Sequence, residues 1–274
     1  MIRSTIATRG MAVAPHSLAA QSALDVLRDG GNALEAMIAA AATIAVVYPH
    51  MNSIGGDSFW LTFAPGAGVS SIDACGAAAA KATRGFYAES GARAIPVRGP
   101  LAVNTVAGTL SGWETARRIA HEQWGGRLPF RRLLEDAIHY ARNGIPVTQS
   151  QHDSTAQKLA ELRDQPGFAA HFLVDNAPPA PNSVFVQRSL AATLERIADA
   201  GPRDFYEGDL AMAIAKELSQ LGSPLSLADL ESHRAVEKPA LEMEHSAGMI
   251  YNTAPPTQGI VSLIILGVLD RAGV

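Results

Sequence analysis

GGNALEAMIAAAATIAVVYPHMNSIGGDSFWLTF, running from Gly30 to Phe63, reads as helix, tight turn and strand in one continuous stretch, and the rest of the chain is organised around it. Asn32 is a helix-capping residue type, and Glu35 stands three positions on, where its carboxylate reaches back to the cap N–H. Asn32-Ala33-Leu34-Glu35 is therefore a capping box, and the helix is predicted to begin there. From Ala33 to Val47 the sequence is nearly uncharged and rich in alanine, which calls for burial on most sides and close approach of neighbouring elements. Pro49 ends the run, which falls short of the roughly 20 residues a membrane span needs. After it come His50, Asn52, Gly55-Gly56 and Asp57, then Phe59-Trp60-Leu61-Thr62-Phe63, whose aromatic and β-branched character suits a buried strand. The paired glycines predict either unusual backbone angles or close approach of another segment.

Working outward, Ile6 to Pro15 is expected as a strand, followed by a helix from about Ser17 to Gly30-Gly31. Val69 to Asp73 should pair with Phe59 to Phe63 as a hairpin over Pro65-Gly66-Ala67-Gly68. Leu101 to Thr105 reads as extended, and Gly108 opens a helix through Glu122. Pro129 takes the first-turn position of the next helix, whose apolar stripe is Leu133, Leu134, Ala137, Ile138 and Ala141. Further helices are signalled at 148–162, 188–200 and 209–221, with a hairpin over 241–245 and 249–252. Ile260 to Leu269 is apolar all round, so it needs cover from this chain or from a second polypeptide. Clustered strands and helices without steady alternation indicate an α+β fold, and residues 1–274 are expected to form a single domain.

With 274 residues and 47% hydrophobic content the chain can bury a large core. Its net charge of −4 gives no basic footprint, which argues against nucleic acid and anionic membranes as partners. The first fifteen residues hold no apolar core of signal-peptide length, and Cys75, the lone cysteine, allows no internal disulfide; both point to the cytoplasm. The eight histidines form no ligand-spaced motif and the glycines no phosphate loop, so neither a metal nor a nucleotide cofactor is expected.

Four segments carry a resemblance in order along the chain: Gly10 to Leu61, Ala107-Gly108-Thr109-Leu110-Ser111-Gly112-Trp113, Gly201 to Gly208 (GPRDFYEG), and Pro255-Pro256-Thr257-Gln258-Gly259. Together they resemble the large chain of the gamma-glutamyltranspeptidase family. That resemblance implies a four-layer αββα sandwich of the N-terminal nucleophile hydrolases, built from two chains cut from one self-cleaving precursor. It also implies a threonine at the new terminus of the small chain as nucleophile. A free α-amine on that residue acts as its own general base, and the β-methyl restricts the hydroxyl to few rotamers. This chain starts Met1-Ile2-Arg3 and offers no hydroxyl or thiol at its own first position. The nucleophile is therefore expected on a partner small chain, in a heterodimer or a dimer of heterodimers, and no catalytic residue is expected here.

The family's large chain contributes an arginine that pairs with the α-carboxylate of a gamma-glutamyl substrate. Aligning Ile72-Asp73 and Ala80 to Arg84 with the family pattern puts Cys75 at that position. A neutral thiol cannot replace the two-pronged contact of a guanidinium with a carboxylate. The resemblance is then to the family's small-amide hydrolases, and a compact amide such as oxamate is the expected substrate. A gamma-glutamyl hydrolase or transpeptidase acting on glutathione is the alternative, and a non-catalytic binding relative is the second. His50, Asn52, Asp57, Cys75 and Arg84 are the candidate substrate-binding residues, with Arg84 or Arg98 as a displaced positive charge. Each has a plainer reading as well: His50 and Asn52 bonding local carbonyls, Asp57 capping a turn, Cys75 filling space. Gly56-Asp57-Ser58 also starts like a GDS-type serine hydrolase block, but Phe59 to Thr62 and the absence of a late Asp-x-x-His end the match.

Overall fold

The computed structural model describes residues 6–273. Helices α1 (Ser17–Arg28) and α2 (Ala33–Val47) lead into strands β1 (Ser58–Ala64) and β2 (Gly68–Ala74), followed by α3 (Arg84–Glu89), a 3-10 turn at Pro100–Ala102, α4 (Thr109–Gln123) and α5 (Phe130–Asn143). The middle of the chain holds β3 (Ile145–Pro146), α6 (Gln149–Leu162), α7 (Phe168–Phe172), β4 (Val184–Phe185), α8 (Arg188–Ala200), α9 (Asp204–Glu207), α10 (Asp209–Gln220) and α11 (Leu227–Ser232). Strands β5 (Val236–Lys238), β6 (Leu241–His245) and β7 (Gly248–Asn252) precede α12 (Gly259–Ala272).

The capping box forms as the spacing requires. Asn32 Oδ1 accepts from Glu35 N at 3.0 Å, and Glu35 Oε2 accepts from Asn32 N at 2.9 Å. Both side chains also reach the far end of α4 and the loop after it: Asn32 Nδ2 donates to the Ala120 and Trp124 carbonyls, and Glu35 Oε1 accepts from Leu128 N at 2.8 Å. One motif thus fixes the start of α2 and the entry to α5. The small side chains Ala36, Ala39, Ala40 and Ala42 are buried, and α2 lies between α1, α4 and α5. Between α1 and α2, Thr43 Oγ1 donates to Ser22 Oγ in a buried bond of 3.0 Å.

Strands β1 and β2 pair antiparallel from Ser58↔Ala74 to Ala64↔Gly68, and β5 joins the other edge of β2 with Ser71↔Lys238 and Asp73↔Val236. Helix α4 packs on this three-stranded sheet, while β3–β4 and β6–β7 form separate two-stranded ladders. Tyr206, fully buried on α9, fastens the start of α4: its hydroxyl donates to the Ala107 carbonyl at 2.7 Å and accepts from Ser111 N at 3.0 Å. Tyr206→Phe should lower the unfolding free energy by about 1–3 kcal/mol, because both backbone groups then lack a partner, and urea denaturation measures it.

Four expectations need correction. Residues 6–15 form no strand, because no other segment among the described residues lies alongside to complete a ladder. Leu101 to Thr105 is not a continuous extended segment: the 3-10 turn takes its start, and only Thr105 bridges to Ala78. Pro129 caps α5 from just outside instead of occupying its first turn. Strand β1 is half-buried on one face and open on the other, where Phe59, Leu61 and Phe63 are 41%, 46% and 66% exposed. Helix α12 is similar. Leu263 is buried and Gly267 faces Met243 of β6, but Ile264, Ile265 and Val268 stay open. The Met1-Ile2-Arg3 start lies outside the described residues.

Candidate active site

The hairpin β1–β2 brings its two ends together, and the residues flanking it make the site. Asp57 precedes β1 and Cys75 follows β2, one step beyond the Ser58↔Ala74 pair. Asp57 Oδ1 accepts from Gly76 N at 2.8 Å, and Asp57 Oδ2 accepts from the Cys75 thiol at 3.5 Å. Cys75 N in turn donates to Asp73 Oδ1 at 2.9 Å. Asp73 Oδ2 is neutralised by Lys238 Nζ at 2.5 Å, and that ammonium also reaches the Pro255 carbonyl at 3.4 Å. The register explains this ion pair: Lys238 stands opposite Ser71, so Asp73 is its diagonal neighbour on the same sheet face.

Backbone contact holds the loop from behind. A side chain at Gly76 would overlap the Val106 carbonyl, and one at Gly108 would overlap the Ala74 carbonyl. Val106 N donates to the Ala77 carbonyl at 3.0 Å and Ala79 N to the Asn104 carbonyl at 2.8 Å. On the other flank, Thr109 pins Gly56: its N–H and its hydroxyl both donate to the Gly56 carbonyl, at 2.9 and 2.8 Å. The expectation for Gly55-Gly56 is not met. Neither has a positive φ, and side chains there would meet only Ser53 Oγ, at 3.6 and 4.0 Å.

His50, Asn52 and Asp57 line one cleft of about 330 Å³, together with Pro49, Ser53 and Gly56. The His50 ring lies edge-on to Tyr48 at 4.3 Å, and neither ring nitrogen has a hydrogen-bond partner among the described residues. Burial lowers its pKa, so the imidazole is neutral at pH 7. The bland reading of His50 as bonding local carbonyls therefore fails. A larger cavity of about 670 Å³ shares Pro49, Asn52 and Ser53 with this cleft. Arg84 is elsewhere. Thr83 caps α3 and Arg84 takes its first position, lining a cavity with Tyr87 and Arg93 that has no lining residue in common with the cleft. Arg98 is paired with Glu161 at 2.7 Å. Ser58 Oγ accepts from Trp60 Nε1 at 3.2 Å and lies against Gly112 of α4.

Asp73, Lys238, Thr109 and the buried His233 were not singled out from sequence. The Thr109 segment was visible as a motif, whereas Lys238 reaches Asp73 only through strand pairing across 165 positions. His233 is 6% exposed, its Nε2 has no partner among the described residues, and its ring lies 5.5 Å from that of Tyr206. Burial lowers its pKa, with Arg203 acting in the same direction.

The Cys75 thiol is pushed up to about 11, chiefly by burial and then by the Asp57 carboxylate beside it. Since only the thiolate reacts, iodoacetamide should modify Cys75 at pH 8 about a hundredfold more slowly than a free cysteine. A mass-spectrometric time course reads this, and a rate equal to that of free cysteine would contradict the Asp57–Cys75 contact.

The helices packed on a small antiparallel sheet, with the candidate site residues at the hairpin ends, have the form of a large-chain part of an N-terminal nucleophile hydrolase. The chain belongs to the gamma-glutamyltranspeptidase family, whose sequence profile, described as Gamma-glutamyltranspeptidase, matches residues 19–274. It is 55% identical over 99% of its length to a Klebsiella pneumoniae protein named oxamate amidohydrolase proenzyme, and 29% identical over 97% to an Escherichia coli glutathione hydrolase proenzyme. The matches cover 51% and 46% of those two proteins, so the chain spans about half the length of the curated relatives it matches. Among solved structures it is similar to a gamma-glutamyltranspeptidase from Pseudomonas nitroreducens complexed with L-DON, with a TM-score of 0.87 and 30% identity over 98% of this chain and 78% of that one. The Helicobacter pylori gamma-glutamyltranspeptidase gives a TM-score of 0.89 at 27% identity, over 98% of this chain and 77% of that one. No helix among the described residues is long and apolar enough to cross a membrane.

Proposed function

We propose that this chain, as a single domain, is the large-chain part of a self-cleaving cytoplasmic amide hydrolase that acts on a small amide such as oxamate. The observation that carries the reading is the 55% identity, over nearly the whole chain, to the protein named oxamate amidohydrolase proenzyme. The chemistry at Cys75 supports it: the thiol donates to Asp57, the backbone N–H of Cys75 donates to Asp73, and among the described residues no guanidinium joins these contacts to receive an α-carboxylate.

In this reading the nucleophile is a threonine at the start of a small chain cut from the same precursor. Its hydroxyl adds to the amide carbon while its α-amine takes the proton. The amine then gives a proton to the leaving nitrogen, so ammonia departs and an ester to threonine remains. Water adds to that ester with the same amine as base, releasing oxalate and restoring the hydroxyl. This chain's part is to shape the pocket. Asp57 and Asp73 hold the Cys75-Gly76 loop, Thr109 holds Gly56, and His50 and Asn52 wall the cleft. The two chains form a heterodimer, or a dimer of heterodimers.

The test is expression of the complete precursor, with intact mass and N-terminal sequencing of every polypeptide and an ammonia-release assay on oxamate. A second chain beginning with threonine, together with ammonia release, is the expected result. Absence of either sinks the proposal.

A further inference from the structure

The site holds one carboxylate with no counter-charge. Asp73 is matched by Lys238, but the partners of Asp57 are a backbone N–H and a thiol, and among the described residues no cation forms an ion pair with it. That carboxylate faces the cleft lined by His50, Asn52 and Ser53. The other polar groups of the wall are neutral, since the His50 imidazole is uncharged at pH 7. An anionic group entering this cleft therefore meets a like charge with no cation among the described lining residues, whereas an amide or ammonium finds an acceptor.

We propose that Asp57 is a specificity-determining residue that excludes carboxylate-bearing substituents from this cleft and admits uncharged or cationic hydrogen-bond donors. The inference rests on the amide-hydrolase reading above and deepens it. In oxamate the carboxylate is bonded directly to the attacked carbon, so it stays at the nucleophile and need not enter the cleft. In a gamma-glutamyl compound three carbons separate the two groups, and the free carboxylate is carried to a distance where the cleft wall decides. Like charges about 5 Å apart repel by an amount that, after solvent screening at this surface position, amounts to a selectivity of about tenfold.

The test uses the cleaved full-length protein and two probes that differ in one group: gamma-glutamyl p-nitroanilide, and the same molecule with its α-carboxylate converted to a carboxamide. Both are measured as inhibitors of oxamate turnover, so neither has to be a substrate. The carboxamide is expected to bind about tenfold more tightly than the acid, and Asp57→Asn should bring the two to within about twofold. Asparagine keeps the acceptor for Gly76 N, so the loop is retained. Equal or tighter binding of the acid to the wild type overturns the proposal, as does a preference that survives Asp57→Asn. Should that variant fail to fold, the wild-type preference is compared at about 0.01 and 1 M salt, where screening lengths are about 30 and 3 Å; a preference indifferent to salt also overturns it. Lack of oxamate turnover by the wild type would remove the functional reading alone, and the two probes are then compared by calorimetric titration onto the same protein.

Discussion

Replacing Glu35 with alanine is expected to lower the unfolding free energy by roughly 3 kcal/mol, a large loss for one helix-capping residue. Glu35 is 1% exposed, and both of its oxygens are used, one on Asn32 N and one on Leu128 N. Truncation leaves two backbone donors without acceptors and opens a void between the start of α2 and the loop entering α5. Glu35→Gln keeps one acceptor oxygen, so its loss should be about half as large. Urea denaturation of the two variants beside the wild type gives both numbers. A change below about 1 kcal/mol for the alanine variant would mean that water reaches those donors in the folded state.

The second large effect is expected at Gly76. Any side chain there overlaps the Val106 carbonyl, which is backbone and cannot rotate away, so strip 74–79 has to separate from strip 104–108. Gly76→Ala should therefore destabilise by at least about 3 kcal/mol and disrupt the Asp57–Gly76 bond. Gly55→Ala, where the new methyl meets only Ser53 Oγ at 3.6 Å, should leave this chain's stability within about 1 kcal/mol. Thermal unfolding of the pair decides the matter, and similar midpoints for the two variants would refute the close approach at Gly76.

What could be read from the sequence follows how far each interaction reaches along the chain. The α2 capping box and the stripe of α5 are set by residues three or four apart, and both form as the spacing predicts. His50, Asn52 and Asp57 fall within one short run, so their gathering along a single cleft was visible. A strand has no such local signature of its partner. Ile6 to Pro15 has strand-like residues and pairs with nothing among the described residues, whereas β5 is only three residues long and yet brings in Lys238. The glycine signal was real but misplaced. The conspicuous pair Gly55-Gly56 has room for side chains, while Gly76 and Gly108, each without a glycine neighbour, sit where two backbones touch. Arg84 was a candidate as a displaced positive charge for the arginine missing at 75, but the start of α3 places it along a different cavity.

The contact of Gly76 and Gly108 with facing carbonyls has a bearing on how such a pocket changes hands over evolutionary time. The loop carrying Cys75 is clamped by main-chain contact at Gly76 and Gly108 as well as by the Asp57 and Asp73 carboxylates, so its path is held when the side chain at 75 changes or when another acceptor stands at 57. Such exchanges rewrite the charge presented to a ligand without redrawing the loop. A drift of the backbone would have to undo both contacts at once. The loop thus behaves as a fixed socket with interchangeable fittings, and new substrate preferences are open to single substitutions that leave folding intact.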